Sequence, residues 1–282
     1  LSDELLRQLL ERFSETKRPR AFVDETEIPW ADEDIGRQFL GLGLRSPEQT
    51  REELDFLSDV LNLEFGHRVL DVMCGDGRIA IPMGRAGTRV VGVDINPTAI
   101  ARARAKAREE RLDDVRFELG DVRALALDGE FDVAIIIFGH LSGFPAEVAV
   151  EILRGIHRHL CPGGRLLIDM HLSPAYIGAL DGQRDWSFEP NGWLGTDHPA
   201  LVLDEYTTEA DLSFVRRSLC IDLSSGQLGR FGQAGQFYNR HSMTRLLADA
   251  DFEADEFWGD FDGSEYDDDE SPNLLVLAHA TQ

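Results

Sequence analysis

The sequence predicts an α/β protein built on a doubly wound, mostly parallel sheet, with an N-terminal helical cap and a β-rich insertion. Three observations predict it. Short apolar runs alternate with helix-period segments from Arg68 to Met170, the pattern of strands joined by crossover helices. After Met170 the rhythm breaks into paired strand-like runs. It then returns from Ser242 to Ala280.

The elements follow in order. Leu5, Leu6, Leu9, Leu10 and Phe13 recur at helical spacing and predict an amphipathic opening helix. Residues 14–46 read as irregular, and a helix is expected from Pro47 to Leu61, with Leu54, Leu57 and Leu61 on one face. Arg68–Met73 is an apolar strand ending at a glycine turn, followed by a helix over Ile79–Arg85 and a strand over Arg89–Asp94. Asn96-Pro97 is a capping residue followed by Pro at the first helical position, and opens a helix to about Arg111. Strands are expected at Val115–Leu119 and Phe131–Phe138, a helix at Ala146–Leu160, and a strand at Arg165–Met170. Residues 171–200 show no clear period. Leu201–Ala210, Leu212–Leu223 and Gly226–Tyr238 read as strands of the insertion. A helix over Ser242–Ala250 and strands over Glu253–Phe261 and Asn273–Ala280 complete the chain. The expected division is a cap over 1–46, a core over 47–170 and 241–282, and an insertion over 171–240.

Composition narrows the function classes. The formal net charge is −24, a field that repels polyphosphate, so no nucleic-acid partner is expected. No apolar run reaches the ~18–20 residues of a membrane span, and Leu1–Phe13 lacks a signal-peptide pattern. Cys74, Cys161 and Cys220 are few and far apart. Neither a metal site nor a disulfide framework is expected, and a cytoplasmic home fits.

The chemistry concentrates at strand ends. In Val69-Leu70-Asp71-Val72-Met73-Cys74-Gly75-Asp76-Gly77 an acid lies in the C-terminal half of a strand and a Gly-x-Gly turn enters a helix. Ligands of open α/β sheets bind beyond such ends, where glycines admit close backbone approach. A dinucleotide loop has a third glycine, but Ala80 stands there, and Asp76 is an awkward neighbour for phosphate. A zwitterion or cation suits the turn better. Asp94 ends the next strand, 23 residues after Asp71, where a carboxylate can accept both hydroxyls of a ribose. Asp121 follows the third strand, where a carboxylate can receive the amine of adenine and the next backbone N–H a ring nitrogen.

These features, with Phe131-Asp132-Val133 and Leu160-Cys161-Pro162-Gly163-Gly164-Arg165-Leu166, resemble the class I S-adenosylmethionine-dependent methyltransferases, in particular a subgroup acting on small molecules. The resemblance covers about 66–170 and resumes over 241–282. It implies a Rossmann-like seven-stranded sheet with an antiparallel last strand, and S-adenosylmethionine as cofactor. It implies that Asp71, Met73, Cys74, Gly75 and Gly77 line the methionine part. Asp94 would hold ribose, Ile95 pack on adenine, Asp121 and Val122 read the adenine edge, and Phe138 stand near the sulfonium. His140 and His171, each after a strand end, are the candidate bases, and Tyr238 is a further candidate catalytic residue. The expected partner is a small-molecule methyl acceptor with a nitrogen or oxygen nucleophile, with a homodimer left open. The alternatives are a non-catalytic S-adenosylmethionine-binding sensor or scaffold, and an NAD-dependent oxidoreductase. His157 and His159 are expected on the outer face of a helix. Trp186, Phe188, Trp193, Phe231 and Phe237 read as the insertion's own core, with a roof over the acceptor pocket or a cation-binding set of ring faces as the alternative.

Overall fold

The computed structural model describes residues 26–27, 30–41, 45–171, 182–193 and 196–281. The expected opening helix at Leu1–Phe13 lies outside the described residues. Seven strands form the main sheet: β2 (Arg68–Val72), β3 (Arg89–Asp94), β4 (Val115–Leu119), β5 (Phe131–Ile136), β6 (Leu160–His171), β11 (Phe252–Trp258) and β12 (Asn273–Ala280), in the order β11-β12-β6-β5-β2-β3-β4. The pairs β2–β3, β3–β4, β2–β5 and β5–β6 are parallel, whereas β12 runs antiparallel to both β6 and β11. The chain leaves β2 for β3 on one side and reaches β5 on the other. The switch point, where ligands lodge in such sheets, therefore lies between β2 and β5.

Alternation along each strand builds a core on both faces. Leu70, Ile136 and Leu166 face helices α5 (Ala146–His157) and α6 (Arg240–Asp249) in one buried cluster. Val69, Ile135 and Leu167 face α2 (Pro47–Val60), α3 (Ala80–Arg85) and α4 (Pro97–Glu109) in the other. Each fully buried aliphatic side chain contributes about 1.5–3 kcal/mol. The helices start where their caps dictate. Asn96 Oδ1 accepts from Ala99 N at 3.0 Å, with Pro97 next in line. Ser46 and Gln49 form a reciprocal capping box on α2.

A second sheet, in the order β1-β10-β9-β8-β7, comprises β1 (Thr26–Glu27), β7 (Arg184–Glu189), β8 (Ala200–Thr208), β9 (Ser213–Asp222) and β10 (Leu228–Gln236). One face packs on the short helix α1 (Glu33–Gly41), where Ile35 joins Ala200, Val202 and Cys220 in a small core. The same segment is tied to both sheets. Gln38 Nε2 donates to Thr196 O at 2.6 Å, and Asn96 Nδ2 donates to Trp30 O at 2.6 Å. On the other side of the site, β10 lies against the 3-10 turn His140–Gly143. A Cβ on Gly235 would stand 2.2 Å from Ser142 O, so only glycine permits that approach.

Several elements depart from the sequence reading. Residues 33–41 form α1 within a stretch read as irregular, and β7 forms within 171–200. Both gain stability from the second sheet rather than from a period of their own. β6 begins at Leu160, because Leu160 already pairs with Phe131; Arg165 pairs with Val133, and the residues between bulge out. His159 is buried beyond the end of α5, where its Nε2 accepts from Leu127 N at 3.0 Å and its Nδ1 lies 2.7 Å from Gly155 O. His157 stacks edge-on against Phe252. Neither lies on an outer face. Trp186 and Phe188 are 68% and 53% exposed on the edge strand β7, so they are not core. Trp193 and Phe231 do pack in the insertion's core, and Phe237 stacks on Phe214. No helix among the described residues is long and apolar enough to cross a membrane, and no cluster of three or more metal-ligating side chains occurs among them.

Candidate functional site at the carboxyl edge of the sheet

The parallel strands β2, β3, β4 and β5 all end on one edge, and the predicted residues gather there. Asp71, one residue from the end of β2, is 3% exposed. Burial pushes its carboxyl up to about 7, against the opposing pull of Arg78; nearby Asp94 adds to the rise. One of its oxygens, Oδ2, is buried without a hydrogen-bond partner among the described residues. Such an atom is costly unless something completes it.

The chain then turns through residues that L-amino acids rarely permit. Met73 has φ 60°, Gly75 φ 54° and Gly77 φ 80°. A left-handed Met costs about 1–3 kcal/mol and persists only where its surroundings hold it. Here Asp94 does the holding. Its Oδ2 accepts from Gly75 N at 2.9 Å and its Oδ1 from Asn96 N at 2.8 Å. A carboxylate oxygen has a second lone pair, so both can still accept a ligand hydroxyl. A Cβ at Gly75 would meet nothing within 4 Å, so the turn borders open space. A Cβ at Gly77 would stand 2.8 Å from Phe117 Cζ, so that glycine serves packing. Asp76 is neutralised by Lys106, whose Nζ lies 2.6 Å from it. Cys74 is buried, with its thiol pushed well up by burial.

The flanking positions differ in character. Ile95 is half-buried after β3, and Val122 is buried at the start of a 3-10 turn. Asp121 caps that turn and is also gripped by Arg123, with Nη2 to Oδ2 at 2.6 Å, which holds its carboxyl below the usual range. After β5 the backbone is left-handed at both Phe138 (φ 85°) and Gly139 (φ 66°). Asp169 of β6 pins this turn, its Oδ1 accepting from Gly139 N at 2.9 Å. The ring of His140 lies 5.7 Å from that of Phe138. His171 ends β6, and its side chain lies outside the described residues. Tyr238 is 3% exposed in the main core, and its hydroxyl lacks a hydrogen-bond partner among the described residues. Burial pushes the phenol far above its ordinary value, and nearby Glu147 adds to the rise.

Sequence reasoning missed an ionic group beside Asp71. Arg45 Nε donates to Glu53 Oε1 at 2.8 Å, and Arg78 Nη1 donates to Glu53 Oε2. The Arg45 guanidinium also lies 4.9 Å over the Phe138 ring. Glu53 precedes Leu57 and Leu61 at a spacing of four, so a carboxylate on the apolar stripe of α2 was its signal. Asp169 had a similar one, a lone acid within the apolar run Leu166–Met170.

A seven-stranded sheet with an antiparallel last strand, a glycine turn after β2 and acids at successive strand ends define the class I S-adenosylmethionine-dependent methyltransferase fold. Residues 69–164 match the family model described as a methyltransferase domain. A curated relative, the cypemycin N-terminal methyltransferase of a Streptomyces species, is 39% identical over 108 residues, which is 37% of this chain and 42% of the relative. The chain thus spans less than half the length of that relative. The solved CcbJ methyltransferase of Streptomyces caelestis superposes with a TM-score of 0.68 at 20% identity, covering 92% of this chain and all of the other. CalS10, an amino pentose methyltransferase from Micromonospora echinaspora solved with S-adenosylmethionine bound, gives 0.55 at 21% identity, covering 87% of this chain and 95% of the other.

Proposed function

We propose that this protein transfers the methyl group of S-adenosylmethionine to a nitrogen of a small-molecule acceptor. The observation that carries the reading is the pairing of a buried, uncompleted Asp71 oxygen with a left-handed glycine turn that borders open space. Together they fit an amino-acid ammonium lying against exposed backbone. The Arg45–Glu53–Arg78 group beside it supplies cationic heads for a carboxylate. Asp94 would accept the ribose hydroxyls, Ile95 would cover one face of adenine, and Asp121 with Val122 would meet its edge. The similar proteins include an N-terminal methyltransferase and an amino pentose methyltransferase, which supports nitrogen, beside O-methyltransferases such as that of ubiquinone biosynthesis.

Bound S-adenosylmethionine supplies a sulfonium methyl group with a neutral leaving group. The protein's part is to align the nucleophile with it and exclude water, which can lower a barrier by up to ~7–11 kcal/mol. Phe138 and Met73, both in left-handed backbone at the ends of adjacent strands, would border the methyl path. An amine that arrives unprotonated needs no base. His140 is the candidate best placed to accept a proton from one that does not, because it opens the turn after β5. The second sheet, resting on that turn, would close the acceptor side.

Isothermal titration with S-adenosylhomocysteine tests the cofactor half of this reading, and micromolar binding is expected. Absence of binding to the folded protein rejects it. Transfer from labelled S-adenosylmethionine to amines but not to matched phenols tests the acceptor half.

A further inference from the structure

The second sheet is anchored to the core at two places. Near one end of its inner face, Ala200, Val202 and Cys220 pack on Ile35 of α1. Near the other end, Gly235, in register with Phe214, touches Ser142 of the turn after β5. Side chains in register across a sheet share a face. Between the two anchors, on that same face, runs one row in which Tyr206 of β8 pairs with Arg216 of β9, and Arg216 with Gln233 of β10. The row abuts the turn: Gln233 Nε2 lies 2.8 Å from where a Cβ on Gly143 would be.

These polar heads are held in place but not used up. Arg216 is gripped along one edge only, with Nε to Asp204 Oδ1 at 3.0 Å and Nη2 to Asp204 Oδ2 at 2.9 Å. Ser218 Oγ donates to the same carboxylate at 2.5 Å. The guanidinium has five N–H donors, and among the described residues its Nη1 edge has no partner. It lies 5.8 Å over the Tyr206 ring. The Tyr206 hydroxyl and the Gln233 amide likewise make no side-chain hydrogen bond among the described residues. An ion pair half removed from water rarely stabilises a fold on its own, and its row abuts the turn after β5, so another purpose is called for.

We propose that the row Tyr206–Arg216–Gln233 recognises the acceptor, and that the acceptor is an uncharged-oxygen-rich amine, one whose nitrogen is carried on a polyhydroxylated ring or chain. The proposal rests on the methyltransferase reading above. Adjacent strands lie about 4.8 Å apart, so the three heads form a ladder that meets successive oxygens of one molecule. The charge state selects among oxygens. Asp204 already neutralises Arg216, and the chain carries −24 overall, so phosphate or carboxylate gains little there. A hydroxyl or ether oxygen gains a donor without bringing an unwanted charge. An apolar amine would leave all three heads without water or partner, which is the stronger form of discrimination.

The test uses the full chain with S-adenosylmethionine and measures S-adenosylhomocysteine release. The probes are 3-amino-3-deoxyglucose and a 4-amino-4-deoxyhexoside, against cyclohexylamine and 4-aminotetrahydropyran, with glucosamine 6-phosphate and serine as charged members. The hydroxylated amines should exceed the deoxygenated ones at least tenfold in kcat/KM. Tyr206→Phe keeps the ring beneath Arg216, and Gln233→Leu keeps the bulk. Each should cut that ratio severalfold, mainly through KM, with S-adenosylhomocysteine affinity unchanged. Equal rates for the deoxygenated amines, preference for the charged members, or ratios untouched by both variants would overturn the assignment. So would a protein that binds S-adenosylhomocysteine yet neither methylates nor, by saturation-transfer NMR, binds any hydroxylated amine. Failure to bind S-adenosylhomocysteine rejects the methyltransferase reading itself and removes this proposal with it.

Discussion

Replacing Asp94 with Ala separates two roles of one carboxylate. In the unliganded protein that carboxylate accepts the N–H groups of Gly75 and Asn96 at 2.9 and 2.8 Å. Each donor left without a partner costs about 1–3 kcal/mol, and the lower part of that range applies because the half-buried site admits some water. The sum is about 2–3 kcal/mol, a fall in Tm of roughly 4–12 °C for a chain of this size. In the complex the variant also loses one or two charge-assisted bonds to ribose, at about 1.5–3 kcal/mol each, so affinity should fall at least 10–100-fold. The Gly75 turn loses its anchor as well, which adds to the loss. Asp94→Asn keeps one good acceptor and should fall between wild type and Ala on both scales. Thermal melts and titration with S-adenosylhomocysteine read the two roles separately. A lowered Tm with unchanged affinity would remove the ribose assignment. An unchanged Tm would refute the claim that Asp94 holds the turn.

Other perturbations follow from the same geometry. Burial raises the Asp71 carboxyl from an ordinary 3.8 to about 7. The folded protein then binds that proton more tightly than the unfolded chain does, and this stability is lost as pH rises from about 4 through about 7. Asp71→Asn should therefore raise Tm more at pH 8 than at pH 5, up to an order of ~4 kcal/mol. In wild type, S-adenosylhomocysteine should bind more tightly at pH 8 than at pH 6, because its ammonium favours the ionised carboxylate; a flat profile would argue that the two do not meet. Gly75→Ala adds a Cβ into open space at a left-handed position, so it should cost only about 1 kcal/mol of stability yet markedly weaken S-adenosylhomocysteine binding. Gly77→Ala meets Phe117 and should show its cost in Tm instead. Glu53→Gln leaves Arg45 and Arg78 without their shared anion, and chemical denaturation should report a loss of about 3 kcal/mol.

What the sequence made legible was whatever is encoded locally. Arg89–Asp94, Val115–Leu119 and Asn273–Ala280 form strands with the bounds expected of them, because apolar content and flanking turns specify a buried strand within one window. The acids at strand ends were legible for the same reason. α1 was not. Its sequence, EDIGRQFLG, has Ile35 as the fully buried side chain among those described, and the partners of Ile35 lie in β8 and β9. β7 was hidden differently: its residues are almost all exposed and gain order from pairing with β8, not from a face to bury. The Arg45–Glu53–Arg78 group joins the start of α2 to the turn after β2, and no spacing rule reaches across the two segments.

The hidden contacts have a functional consequence that the visible motifs do not. Asn96 stands two residues beyond Asp94, and its amide holds Trp30 O and Asp32 O. The segment it holds leads directly into α1, whose Ile35 and Gln38 grip the second sheet. From the far side that sheet presses, through Gly235, on the turn that Asp169 pins next to Phe138. The inner face of the second sheet, proposed above to meet the acceptor, is thus fixed to the ends of β3 and β5 by short, specific contacts, with glycine required at the closest one. In-line transfer demands that nucleophile and methyl group be aligned to within a fraction of an ångström. A sheet hinged at one edge could not hold that alignment, whereas one clamped at both ends of its inner face can. The residues proposed to hold the cofactor and those proposed to meet the acceptor are therefore mechanically one unit, although the sequence places them in segments with no visible relation.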